Sequence, residues 1–207
     1  EQLTASVALN SYFGAGEQLL LTAATSLNDP GFGNSAQRSY LSASASRPVG
    51  VEGWSLSLYA IHAASTPEPA LPGVVFDGEF FRIGVSTSYA LKRSRTENIT
   101  LSLAADASYE DQDISLAGLT APLFADRTRA VRASITGTQL LPSGELGYDA
   151  QLSRGIAALG ARTRDDASPL RPLSRDGADA DFTRLAGGVN FSQNLAGGLQ
   201  LRAGLRG

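Results

Sequence analysis

The sequence contains no cysteine and no methionine, and only one histidine and one tryptophan. Without cysteine there are no disulfides and no thiolate metal ligands, which leaves the redox compartment open. A Ser-His-Asp arrangement would depend on the single imidazole of His62, so no catalytic residue is assigned and the chain is not expected to be an enzyme. No run of about 18 apolar residues occurs, which excludes a transmembrane helix. No basic segment followed by an apolar stretch opens the chain, so no signal peptide is visible. The chain begins at EQLTASVALN and stops at LQLRAGLRG in mid-pattern, and is expected to be part of a longer protein. A formal net charge of −3 leaves no basic excess for a general nucleic-acid binder.

What the sequence does have is alternation. Apolar and small polar residues exchange places with period two in ten segments: residues 2–10, 17–26, 38–47, 53–63, 78–90, 97–109, 126–138, 145–154, 180–192 and 198–206. In the first, Leu3, Ala5, Val7 and Leu9 share one face and Thr4, Ser6, Ala8 and Asn10 the other. In the fourth, Trp54, Leu56, Leu58 and Ala60 oppose Ser55, Ser57 and Tyr59. No comparable window sustains the spacing of an amphipathic helix, so the chain is predicted to be all-β.

The connections differ in length in a regular way. After the first, third, fifth, seventh and ninth strands they are brief: SYFGAG, PVGVE, LKRSRT, LLPSG and NLAGG. After the second, fourth, sixth and eighth they are long: LNDPGFGNSAQ, ASTPEPALPGVVFD, EDQDISLAGLTAPLFA and GIAALGARTRDDASPLRPLSRDGAD. Successive connections of an up-and-down sheet lie at opposite ends, so one end would carry tight turns and the other long loops. Outer-membrane barrels have short periplasmic turns, longer extracellular loops, and strands of about ten residues alternating apolar-out and polar-in. The expected fold is therefore an all-β, antiparallel up-and-down transmembrane β-barrel.

Charges within strands report which face meets which solvent, because Lys or Arg facing lipid at mid-bilayer costs about 2–4 kcal/mol. Arg82, Asp106, Arg132, Asp149, Arg184 and Arg202 all fall on the small-polar face. They are the candidates for lining a lumen, four positive and two negative. Arg129 and Arg154 fall on the apolar face and are expected near strand ends, where interfacial placement is cheap. Tyr12, Phe13, Trp54, Tyr89 and Phe191 lie by the short turns, Phe81 and Tyr109 by the long loops, as aromatic belts require. A soluble β-barrel or sandwich binding a small ligand would show the same alternation with the faces inverted, and patterning alone leaves it open.

Three stretches carry a resemblance. YALKRSRTENITLSLAADASYED reads as a strand end, a basic turn, Asn and an alternating strand, with Ala90 in place of a usual Pro. SYFGAGEQLLLTAATS reads as a Phe-Gly-x-Gly turn and a Leu-rich strand, with Glu17 where Asp is commoner. DFTRLAGGVNFSQNLAGGLQLRAGLRG reads as a strand, a Leu-x-Gly-Gly turn and a return strand. Together they resemble the two-partner-secretion outer-membrane transporters, the haemolysin secretion/activation (FhaC- and ShlB-like) family. The resemblance implies a sixteen-stranded barrel, with residues 1–207 as about ten strands of that single barrel domain. POTRA domains would precede Glu1, and the remaining strands and the plug-loop motifs would follow Gly207, so none of the family's functional residues carries over. It also implies secretion of a large unfolded partner polypeptide across the outer membrane of a Gram-negative bacterium. The barrel is expected to be monomeric, to contact outer-membrane lipid, and to use no nucleic acid, cofactor or metal. A passive porin or a BamA-like assembly barrel is the alternative within the same architecture.

Other signals are weaker. Glu110, Asp111, Asp113, Asp176, Asp179 and Asp181 offer the oxygen ligands that Ca²⁺ takes, but are expected as solvated loop residues. Asn98-Ile99-Thr100 fits a glycosylation pattern inside an expected strand. The glycines at 14, 16, 187–188 and 197–198 precede no helix, which rules out phosphate loops and leaves turns or strand curvature.

Overall fold

The computed structural model describes residues 2–26, 37–68, 71, 73–175, 177–195, 197 and 199–207. Ten strands form one antiparallel sheet in sequence order. They are β1 (Gln2–Asn10), β2 (Gln18–Ser26), β3 (Arg38–Val49), β4 (Trp54–Ser65), β5 (Val74–Arg93), β6 (Glu97–Leu116), β7 (Leu119–Leu141), β8 (Gly144–Gly155), β9 (Thr183–Asn194) and β10 (Gln200–Arg206). A 3₁₀ turn, Arg164–Asp166, sits between β8 and β9. The sheet is open: β1 pairs with β2 alone and β10 with β9 alone among the described residues.

Register carries the alternation across the whole sheet. One row of paired residues runs Leu9, Leu19, Ala45, Leu58, Val85, Ala105, Val131, Arg154, Thr183 from β1 to β9. A slip of one residue in any strand would turn its apolar set to the other face. Among the described residues no second layer of strands or helices covers either face. Leu56 and Leu201 are 40% and 47% exposed, Val131 is half-buried, and the apolar residues that are buried are Ala24, Ala64, Ala125, Ala130 and Ala180. The large aliphatic side chains therefore pack beside one another on an open surface, with no dry centre behind them.

The sixth connection departs from expectation. EDQDISLAGLTAPLFA is not a loop: β6 and β7 continue through it and meet at a two-residue turn, with Leu116 paired to Leu119. Ala117 and Gly118 both have positive φ (51° and 84°), the primed geometry that suits tight hairpins. DQDISL kept the period of two, but its charges masked it as loop. Leu123 is an extra residue where the register shifts beside Gln112 and Asp113, a bulge that bends the ribbon. The fourth connection likewise gives Val74–Asp77 to β5. Strict alternation of short and long connections thus fails at the sixth, yet the β5–β7 ribbon projects from the same end as the long loops. The rest of the second connection, residues 27–36, lies outside the described residues.

Glu17 builds the turn between β1 and β2. Its carboxylate accepts the N–H groups of Phe13 (2.5 Å) and Ala15 (3.0 Å), while Ser11 Oγ accepts that of Gly16 (3.2 Å). The Phe13 bond, other backbone donors and nearby Arg47 hold the Glu17 carboxyl below its usual range. Gly14 and Gly16 take φ of 75° and 69°, which any side chain would resist.

On the polar face Tyr59 lies across Gly84, where an added Cβ would come within 2.5 Å of the ring. Gly84→Ala should therefore destabilise the sheet by about 1–3 kcal/mol through overpacking. Gly78→Ala, whose new methyl meets nothing nearer than 3.7 Å, should be near neutral. Urea midpoints of the two variants of the full-length protein check this.

Candidate functional site

Strand register puts all six charged candidates on the polar face. Arg82 stands opposite Ile61 and Ser108, Asp106 opposite Gly84 and Ala130, and Arg132 opposite Ala104 and Ser153. Asp149 is opposite Thr136 and Gly188, Arg184 opposite Ser153, and Arg202 opposite Ser192. Three of the six converge. Asp106 Oδ1 is paired with Arg82 Nη2 and Oδ2 with Arg132 Nη1, along diagonals of adjacent strands. The Asp106 side chain is 3% exposed between its two cations. Arg82 also lies 5.8 Å from the Tyr59 ring centroid, while its Nε has no hydrogen-bond partner among the described residues. Tyr59, Gly84, Arg82, Asp106 and Arg132 thus make one patch across β4 to β7. Tyr59 was not singled out from the sequence, because its role depends on register against Gly84.

The other three stay apart. Asp149 leans toward the bare backbone of Gly188. Arg202 Nε donates to Gln200 Oε1 at 2.9 Å. Arg184 is exposed and has no carboxylate partner among the described residues.

Arg129 corrects an expectation. It lies mid-strand in β7, and is buried rather than interfacial. Its Nε donates to Leu159 O (3.1 Å), Nη1 to Thr128 O (2.9 Å) and Ser108 O (3.3 Å), and Nη2 to Tyr109 Oη (2.6 Å). Its guanidinium stacks 4.4 Å from the Tyr109 centroid. The cover comes from the β8–β9 connection, which runs beside β7 where β8 has ended. Ile156 N–H donates to Arg129 O (2.9 Å), Arg162 N–H to Arg127 O (2.8 Å), and Ala125 N–H to Pro172 O (3.0 Å). The connection crosses the edge of β7 from one face to the other. Arg171 reaches Asp111 on the apolar side (3.5 Å), and Ser174 N–H and Oγ donate to Asp126 on the polar side (3.1 and 2.5 Å). Thr163 donates from N–H and Oγ to Asp166, and those bonds hold the Asp166 carboxyl below its usual range.

The acidic residues expected in loops divide. Glu110, Asp111 and Asp113 are strand residues of β6, Asp111 pairing with Arg127 (2.5 Å). Asp181 pairs with Arg154 (2.5 Å), and Asp176 lies outside the described residues. No group of three metal-ligating side chains forms among the described residues. His62 sits 3.1 Å from Glu79 on an exposed strand surface.

The apolar belt runs obliquely to the paired rows. The row of Leu9, at the lower end of the belt on β1, reaches β9 at Thr183, whereas the belt on β9 ends at Phe191, eight residues further toward the short turns. That is about one residue of slip per strand. With about 3.3 Å per residue and 4.8 Å between strands, the slip corresponds to a strand tilt of about 35°. On β5 the belt lies between Tyr89, stacked on Trp54 at 4.7 Å, and Phe81, which meets Tyr109 at 6.0 Å. Eight residues at that tilt span about 21 Å of height.

Asp106→Asn should destabilise the sheet by about 2 kcal/mol, since it removes one charge and leaves two guanidinium groups facing each other. Asp149→Asn, with no ion pair to break, should be within about 0.5 kcal/mol of the parent. The temperature at which the folded form is lost on SDS gels reads both.

The profile described as "Haemolysin secretion/activation protein ShlB/FhaC/HecB" matches residues 1–207. Among solved structures, CdiB from Escherichia coli aligns with a TM-score of 0.74 at 14% identity, over 95% of this chain and 34% of that one. At that identity the likeness shows the fold alone, and the present chain spans about a third of CdiB. No curated protein matches the sequence significantly. With its whole length matched, the chain belongs to the ShlB/FhaC/HecB family of haemolysin secretion/activation proteins.

Proposed function

We propose that this chain supplies ten strands to an outer-membrane barrel that secretes a large unfolded partner polypeptide in a Gram-negative bacterium. The observation that carries the reading is the slanted belt: exposed aliphatic side chains bounded by aromatics on one face, with ions on the other. A strand tilt of about 35° and a belt of about 21 Å suit transmembrane barrels, whose strands tilt roughly 35–45° around an apolar band about 25 Å tall. A soluble ligand-binding fold would instead need the aliphatic face covered, because large exposed apolar surface is rare on such proteins.

In this reading the free edges of β1 and β10 are paired by strands from flanking sequence, to a total of sixteen, since an unpaired edge cannot face hydrocarbon. POTRA domains precede the barrel, which works as a monomer without nucleotide or cofactor. Arg82, Asp106 and Arg132 form a fixed stretch of lumen wall whose charges are already answered. Asp149, Arg184 and Arg202 present freer head groups to water. A passing chain therefore meets hydroxyls and hydrated ions, and few dry surfaces on which to stick. Family membership favours secretion over a passive porin.

Two experiments on the full-length protein test the reading. A tryptophan at Leu58 should be quenched strongly by brominated lipid tails, and one at Ser57 only weakly; equal quenching would remove the assignment of faces. Arg184→Gln with Arg202→Gln should shift single-channel ion selectivity toward cations. Unchanged selectivity in an assembled barrel would place both side chains outside the conduit.

A further inference from the structure

We propose that the rim of the apolar face above β7 and β8 binds the phosphate groups of outer-leaflet lipid, an inference that rests on that face meeting the membrane. Register places Arg127, Arg129 and Arg154 on the apolar face, immediately beyond its last aliphatic residues, Val131 on β7 and Leu152 on β8. Because the belt drops about one residue per strand, Arg129 and Arg154 lie at nearly one height although their rows differ. The β8–β9 connection brings Arg162 and Arg171 to the same place.

Two carboxylates in this patch serve as ion-pair partners. Asp111 is shared by Arg127 and Arg171, and Asp181 is held by Arg154. Arg162 gives its Nη groups to the carbonyls of Ala125, Asp166 and Arg171. Among the described residues, Arg129 likewise has only carbonyls and a phenol as hydrogen-bond partners. Asp166 lies close enough to Arg162 for the two charges to interact, whereas the dipoles around Arg129 satisfy its N–H groups but leave its positive charge uncancelled among the described residues, so this buried cation projects its field through the rim. Above that fixed charge, Arg154 and Arg171 have side chains 57% and 56% exposed. Their planar forks suit bidentate contact with phosphate. The neighbouring rim is acidic instead, with Asp77 facing Asp113 across β5 and β6. The anion site is therefore confined to the β7–β8 sector.

Native mass spectrometry of the full-length protein, supplied with bis-phosphorylated lipid A or its dephosphorylated form, tests the proposal. The parent should retain the phosphorylated lipid preferentially. Arg154→Gln with Arg171→Gln should bind it roughly tenfold more weakly, as expected for losing a charge-assisted contact. Arg38→Gln, an exposed change on the polar face at the same end, should leave retention unchanged. Asp181→Asn, which frees Arg154 from its carboxylate, should strengthen retention, giving a second reading that does not depend on losing an arginine. Equal retention of both lipids by the parent, or full retention by the double variant, overturns the phosphate site. Displacement of the bound lipid by millimolar inorganic phosphate would also overturn it, as a site for the free ion. Failure of the underlying membrane reading would appear separately, as an unquenched tryptophan at Leu58.

Discussion

Two chemically opposed faces on a single layer are the constraint on which this structure depends. A sheet whose Leu, Val and Ile side chains stand exposed on one face, and whose Arg and Asp side chains stand on the other, cannot be satisfied by water alone. A second layer packed on the aliphatic side would relieve it, and the described residues supply none. Hydrocarbon would relieve it equally well, and would also select the slant of the belt. A boundary perpendicular to a barrel axis must cross tilted strands at a steadily shifting residue. In the proposed barrel, register, tilt and the positions of Trp54, Tyr89, Phe81 and Tyr109 would follow from one geometric demand.

Charge is handled differently on the two faces. On the polar side, Asp106 draws Arg82 and Arg132 together across three strands, which ties the wall laterally where backbone bonds already tie it along the rows. On the apolar side, Arg129 is withdrawn from the exposed surface. Tyr109 stacks beneath it and the β8–β9 connection closes over it. That same connection occupies the place beside β7 that β8 vacates at Gly155, so an exposed strand edge and a misplaced charge are resolved by one segment.

The fold is largely local in sequence, and the surroundings of the charged side chains are not. The ten strands, their antiparallel order and the face of each charged candidate were legible, because period-two alternation depends only on neighbours two residues apart. The β6–β7 ribbon was not, since Glu110, Asp111 and Asp113 look like loop residues when alternation is sought in apolar side chains. Arg129 was placed correctly by face and wrongly by environment, because a segment about thirty residues away in sequence covers it. Glu17 was noticed only as a variant of a turn motif; that its carboxylate gathers the turn's N–H groups needs the backbone path through Gly14 and Gly16.

The sequence by itself determined which residues share a face, because side chains in an extended chain must alternate, and it determined that one of those faces is unsuited to water. It also determined the kind of chain this is, through the match over all 207 residues. Only the tertiary structure decided which charges meet. Asp106 lies 24 residues from Arg82 and 26 from Arg132, and their diagonal contact exists only once the register of β5, β6 and β7 is set. It alone showed the oblique course of the belt, since slip from strand to strand is a relation between rows that no single segment contains.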